Sequence, residues 1–216
     1  MDSKKIRMIA MLAMLSAFAY AGMYFSRALP PVTPMPPLKY DPKDIFIIIG
    51  GFLYGPLAAI PMSVLVSLIE MITVSTTGPI GMLMNIISTC AFAVPAAAVY
   101  KKARSLKGAV AGLIAGVVLM VCAMMLWNYI ITPIYTGFPR EAVVKMLIPT
   151  FLPYNLLKGS LNAALTMLIY KPLSIALRKM RMLPEADGKA NIGVILASLF
   201  AVITCVLLTL VFMGVI

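Results

Sequence analysis

The stretch GAVAGLIAGVVLMVCAMMLWNYII, residues 108–131, holds no charged residue and a single amide. A helix needs about 20 consecutive apolar residues to cross a bilayer, and this run exceeds that length. It is not alone. Apolar runs also extend from Met8 to Phe25, from about Ile80 to Tyr100, from about Val143 to Leu177 and from Ile192 to Ile216. Over the whole chain of 216 residues, 62% are hydrophobic and only 12% are charged, with a mean hydropathy of +1.01. A soluble domain carries about twice that share of charge. Backbone groups in hydrocarbon must be satisfied within the segment, and the two-residue alternation of barrel strands is missing, so the expected form is an all-α membrane protein.

The breaks between the runs define the organisation. The first apolar run follows Lys4, Lys5 and Arg7 and includes Ala17-Phe18-Ala19, which has the small-x-small form of a signal-peptide cleavage site. The run is long for a signal sequence and continues past that point, so we read it as a retained helix. Residues 29–44, LPPVTPMPPLKYDPKD, hold six prolines and exclude a helix, which predicts a stiff loop. A run too short to span follows from Asp44, and Tyr54-Gly55-Pro56 separates it from another that ends near Val74. The segment Ser75-Thr76-Thr77-Gly78-Pro79 is a further break. A loop with Pro133, Gly137 and Pro139 precedes the 143–177 run, whose first half contains Pro149 and Pro153.

The net charge of +11 comes from 18 basic and 7 acidic residues. In a soluble protein it would suggest nucleic acid. Here the basic residues gather at the ends of apolar runs, which points to membrane topology and anionic lipid. With the N-terminus inside, twelve of the 18 fall on inner segments, in the groups Lys4 to Arg7, Lys101 to Lys107 and Lys171 to Lys189. Arg27, Lys39, Lys43, Arg140, Lys145 and Lys158 then lie in outer loops or near the outer half of the sixth helix. The positive-inside rule thus predicts a cytoplasmic N-terminus and an external proline-rich loop.

Function is read first from polar groups that lipid makes expensive. Lys158 lies in an otherwise apolar helix, three residues after Asn155 and on the same face. Asn85 and Asn128 sit toward the outer ends of their helices; amides there serve either as glue between helices or as ligand contacts. Together these groups suit a planar heterocycle, and Trp127, Tyr129, Tyr135, Tyr40 and Phe46 are candidates for stacking as well as for the ordinary aromatic belt. Glu70 is the other charge in an apolar run, with Lys158 or Arg27 as candidate partners. It also leaves open an ion-coupled small-molecule carrier. Ala13, Ala17 and Ala21 form two small-xxx-small steps on one face, a pattern that lets another helix approach closely.

Other features argue against alternatives. The chain contains no histidine, and its three cysteines lack ligand spacing, so no metal site or cofactor is expected and an enzyme is disfavoured. No G-x-x-x-x-G-K-[ST] motif is present for ATP hydrolysis. A convincing inverted repeat of the kind found in many secondary transporters is also missing. The chain is equipped to bind, not to drive transport.

Several segments resemble a known family. They are Leu38-Lys39-Tyr40-Asp41-Pro42-Lys43-Asp44, Gly50-Gly51-Phe52-Leu53-Tyr54-Gly55-Pro56, Thr77 to Asn85, Asn128 to Tyr135, Pro153-Tyr154-Asn155-Leu156-Leu157-Lys158-Gly159 and Tyr170-Lys171-Pro172-Leu173. Taken together, over residues 5–180, they resemble the riboflavin-binding S-components of energy-coupling-factor (ECF) vitamin transporters. The resemblance implies a six-helix core that captures riboflavin at the outer face as transported substrate, with no cofactor. It also implies uptake driven by a separate T-component and two ATPase subunits. On the same basis Leu38, Tyr40 and Asp41 belong to a capping loop, Gly81 and Asn85 to a fourth-helix motif, and Asn128, Asn155 and Lys158 to polar ligand contacts. The Ala13/Ala17/Ala21 stripe corresponds to the docking surface for the T-component. Another vitamin or a phosphorylated flavin is the alternative ligand. The expected organisation is a six-helix membrane core over residues 1–182, a polar linker at 183–190 and an additional C-terminal transmembrane helix at 191–216. That last helix departs from the family pattern.

Overall fold

A computed structural model describes residues 3–33, 36–179 and 192–215; every described element is helical. In order these are α1 (Ser3–Ser26), α2 (Lys43–Tyr54), α3 (Pro56–Thr73), α4 (Gly78–Ala103), α5 (Leu106–Ile130), α6 (Thr132–Thr136), α7 (Arg140–Met146), a π-helical turn (Leu147–Phe151), α8 (Leu152–Lys179) and α9 (Ile192–Phe212). Five of them, α1, α3, α4, α5 and Ile195–Phe212 of α9, are long and apolar enough to cross a membrane. Large apolar side chains such as Leu57, Ile72, Ile148 and Phe200 point outward and are more than 70% exposed. On a soluble surface they would drive association; on a multi-pass membrane protein they face lipid.

The short α2 forms the middle of the bundle. It touches α1, α3, α4 and α8, and buries Ile45, Ile47, Ile48, Ile49 and Phe52. Gly55, at φ 98°, makes the tight reversal into α3, a conformation only glycine adopts without strain, and Pro56 starts α3, where a missing N–H costs nothing. The closest helix pair is α4 with α5. A Cβ added at Gly112 or Gly116 would lie 2.5 Å from the carbonyl oxygen of Ala96 or Phe92, so only glycine allows this approach. On α1, Met11, Leu15, Ala19 and Met23 pack inward, while Ala13 and Ala17 are exposed and Ala21 is half-buried.

Two expectations change. The helix expected from about Val143 begins earlier, at Arg140, and is interrupted by the π turn. Pro149 and Pro153 cannot donate hydrogen bonds, and the Leu152 N–H reaches back five residues to the Leu147 carbonyl. The stretch before it, expected as loop, contains α6: Pro133 fits its first turn, and Gly137, at φ 73°, ends it. The expected linker at 183–190 lies outside the described residues.

Candidate functional site

The proline-rich segment folds into a pinned cap. The Val32 N–H donates to the Leu38 carbonyl (2.7 Å), the Leu38 N–H to Thr33 Oγ1 (3.1 Å) and Lys39 Nζ to the Arg27 carbonyl (2.7 Å). Proline removes donors from this stretch, so side chains and the few remaining amides hold it. Helix α8 secures the cap from the other side. Tyr154 Oη donates to the Lys39 carbonyl (2.6 Å), Asn162 Nδ2 donates to the Asp41 carbonyl (2.9 Å), and Tyr40 Oη donates to Asn162 Oδ1 (2.6 Å).

Beneath the cap lie two carboxylates clamped by cations and neutral donors. Glu70 on α3 accepts from Arg27 at Oε1 (2.5 Å), and from Lys43 (2.8 Å) and Asn85 (2.9 Å) at Oε2. Asp44 on α2 accepts from Thr89 at Oδ1 (2.6 Å) and from Asn162 at Oδ2 (3.2 Å), with Lys158 Nζ 3.6 Å from Oδ2. Lys43 also pairs with Asp41 (2.6 Å) and joins the two halves. Lys43 and Asp44 are fully buried, and Glu70 and Lys158 are 3% and 7% exposed. Buried charges of this kind persist only when paired and hydrogen-bonded. Three cations, Arg27, Lys43 and Lys158, meet three carboxylates, Asp41, Asp44 and Glu70, and the cluster is neutral as a whole.

In the cap, burial alone would raise the Asp41 carboxyl, but Lys43 and Lys158 together hold it below the usual carboxylate range. Burial, with Asp41 and Asp44 close by, raises the Tyr40 phenol far above its ordinary value. Tyr40 therefore stays protonated and remains the donor to Asn162.

Of the residues picked out from sequence, Tyr40, Asp41, Asn85 and Lys158 fall within this one network. Leu38 holds the cap through its backbone. Asn128 and Asn155 are buried, but each donates to its own helix, to the Met124 and Phe151 carbonyls. Thr132 in turn donates to Asn128 Oδ1 (2.9 Å). Gly81 is buried beside Thr77, whose side chain occupies the place of any Cβ there. Tyr129 and Tyr135 remain exposed, with Arg140 over the Tyr129 ring at 5.3 Å; Trp127 keeps a buried Nε1 with no acceptor among the described residues.

Of the two candidate partners of Glu70, Arg27 holds and Lys158 does not: Glu70 takes Arg27 and also Lys43, whereas Lys158 pairs with Asp44. Lys43, read from sequence only as one of the outer basic residues, is buried within the protein, because the first turn of α2 points it at Glu70. Asp44, read only as the start of a short run and part of the first-loop segment, and Thr89 and Asn162 were not among the expected site residues. The signal for Asn162 was present: Asn155, Lys158, Asn162 and Thr166 follow at i, i+3, i+7 and i+11, a polar stripe on one face of α8. At the opposite end Phe52 stacks on Tyr100 at 4.4 Å, and the Tyr100 and Tyr170 hydroxyls are 2.9 Å apart. This aromatic cluster closes the bundle away from the cap.

Multi-pass helices thus hold a buried polar cluster beneath a pinned outer loop. The family model described as "ECF transporter, substrate-specific component" matches residues 7–170, and the chain belongs to that family. It is a substrate-binding membrane subunit, not an enzyme. A protein of Bacillus subtilis named riboflavin transporter FmnP is 29% identical over 175 residues, 77% of this chain and 91% of its own length. One of Streptococcus thermophilus named riboflavin transporter RibU is 30% identical over 184 residues, 81% of this chain and 86% of its own. A solved S-component of a bacterial ECF transporter matches with a TM-score of 0.67 and 26% identity, over 81% of this chain and 99% of that one.

Proposed function

We propose that this chain captures riboflavin at the outer face of the membrane, beneath the proline-rich cap, for uptake driven by a T-component and two ATPase subunits. The observation that carries the ligand is the match to two proteins named riboflavin transporters over more than three quarters of the chain. A neutral cluster rich in donors and acceptors suits an uncharged heterocycle with carbonyls and ring nitrogens, and the unpaired Trp127 Nε1 adds a donor. Leu38, Tyr40, Asp41, Gly81, Asn85, Asn128, Asn155 and Lys158 make up the proposed ligand site. In this reading residues 1–182 form a six-helix core with a cytoplasmic N-terminus, α2 and α8 completing the bundle. Residues 183–190 link it to an added membrane helix at 191–216. The exposed Ala13 and Ala17, with Ala21, offer the T-component its docking face.

Stacking quenches flavin fluorescence, so riboflavin titrated into detergent-purified protein should lose emission and saturate near one-to-one. An unchanged signal at micromolar protein and ligand would remove the riboflavin assignment. Titration of a phosphorylated flavin beside it, and of other vitamins in competition, separates the alternative ligands.

Lys158→Met keeps volume and removes the ammonium, and Asn155→Leu removes the amide. Each is expected to cost about 1–3 kcal/mol of riboflavin binding, or roughly 5- to 150-fold in affinity. Wild-type affinity in both intact variants would show that these two side chains serve the fold alone.

A further inference from the structure

Helix α9 packs against α8 but leaves the neighbouring face of α5 uncovered. Val110, Ile114 and Val118, four residues apart on α5, keep 41, 61 and 54% of their surface exposed. Across the gap α9 presents small residues, among them Ala197 and Ala201, and no bulk fills the space between them. The result is a groove of about 490 Å³ between α5, α8 and α9, apolar apart from the hydroxyls of Ser160 and Ser198. That volume is of the size ligands occupy. One end of the groove is lined by Leu106, the first residue of α5.

Leu106 stands in the most basic turn of the chain. Arg104 and Lys107 flank it, and Lys101 and Lys102 close the last turn of α4. All four are exposed, and none has an acidic partner among the described residues. An apolar groove opening sideways into lipid thus ends beside a cluster of exposed cations, of which Lys101 reaches toward Gly55 at the α2–α3 turn. Each exposed cation near a membrane surface favours anionic headgroups, and basic pockets between helices recognise them specifically.

We propose that this groove is a binding site for one anionic phospholipid, with an acyl chain along α5 and the phosphate among Lys102, Arg104 and Lys107. The lipid fills the space that the small residues of α9 leave, and so joins α9 to the core. All of α9 lies beyond the residues the family model matches, whereas the α5 and α8 walls lie within them, so the groove forms where this added helix meets the core. The proposal is independent of which vitamin the capped site takes.

The test uses the full chain purified in detergent and native mass spectrometry with added dioleoyl-phosphatidylglycerol or dioleoyl-phosphatidylcholine. One phosphatidylglycerol should be retained, with a preference over phosphatidylcholine of about tenfold or more. The double change Ala197→Leu and Ala201→Leu should abolish that adduct by filling the groove. Replacing Lys102, Arg104 and Lys107 by glutamine should bring the two lipids to equal, weak retention. Equal retention of both lipids by the unchanged protein would overturn the proposal, as would full retention of phosphatidylglycerol by both variants. A dimer that the leucine changes dissolve, with no lipid held, would make the groove a contact between two copies instead. Should the leucine variant fail to fold, the glutamine variant decides alone, since its three positions are exposed.

Discussion

Lys43→Met is expected to destabilise the folded protein by about 3–5 kcal/mol, the usual cost of breaking a buried ion pair by removing one partner. Lys43 is fully buried between Asp41 and Glu70, at 2.6 and 2.8 Å. Methionine fits the space but leaves Asp41 without its nearest cation and Glu70 with Arg27 and Asn85 only. Glu70→Gln should be milder, because Lys43 then keeps Asp41, and Arg27, about one-third exposed, can turn to water. Thermal unfolding in detergent checks the order. The idea fails if Lys43→Met melts with the unchanged protein, or if Glu70→Gln proves the more damaging. Because Lys43 ties the cap to α3, the same change should also weaken riboflavin binding, and a stable variant that binds normally would detach the cluster from the ligand.

The second large effect separates capture from transport. Ala17→Leu, alone and with Ala13→Leu, should reduce riboflavin uptake by cells to near background and prevent co-purification with the T-component and ATPases. Small-residue interfaces depend on backbone proximity that a leucine side chain prevents. Ala13 and Ala17 are exposed on α1, away from Met11, Leu15, Ala19 and Met23, which fill the core, and neither belongs to the hydrogen-bonded cluster under the cap. Binding in detergent should therefore stay within about twofold, as expected for independent sites. Persistent uptake with collapsed binding would place the alanine stripe inside this subunit's own packing and move the docking surface elsewhere.

The membrane class, the break at residues 29–42, the tight turn at Gly55 and the polar face containing Asn155 and Lys158 could all be read from the chain alone. Each is a property of neighbouring residues. A run such as 108–131 must be helical in lipid whatever surrounds it, since its backbone has no other partner for its hydrogen bonds. Prolines forbid a helix locally, and glycine permits a positive φ locally. Lys158 announced itself because an ammonium in an apolar helix is costly wherever the helix packs.

Partner choice was beyond the sequence. Arg27 and Glu70 are 43 residues apart, Lys43 and Glu70 27, and Asn162 reaches Asp44 and Tyr40 across 118 and 122. Glu70 had two plausible cations, and only the placement of α2 between α3 and α8 gave it Lys43 and Arg27 and assigned Lys158 to Asp44. The same placement buried Lys43, a burial that the charge count by itself does not reveal. Asn128 and Asn155, which read as ligand groups by depth, donate to backbone carbonyls four residues before them. Hydropathy and turn chemistry act over a few residues and are written in order along the chain. Ion pairing acts over a few ångströms, and which charges stand that close is decided only when the helices have packed.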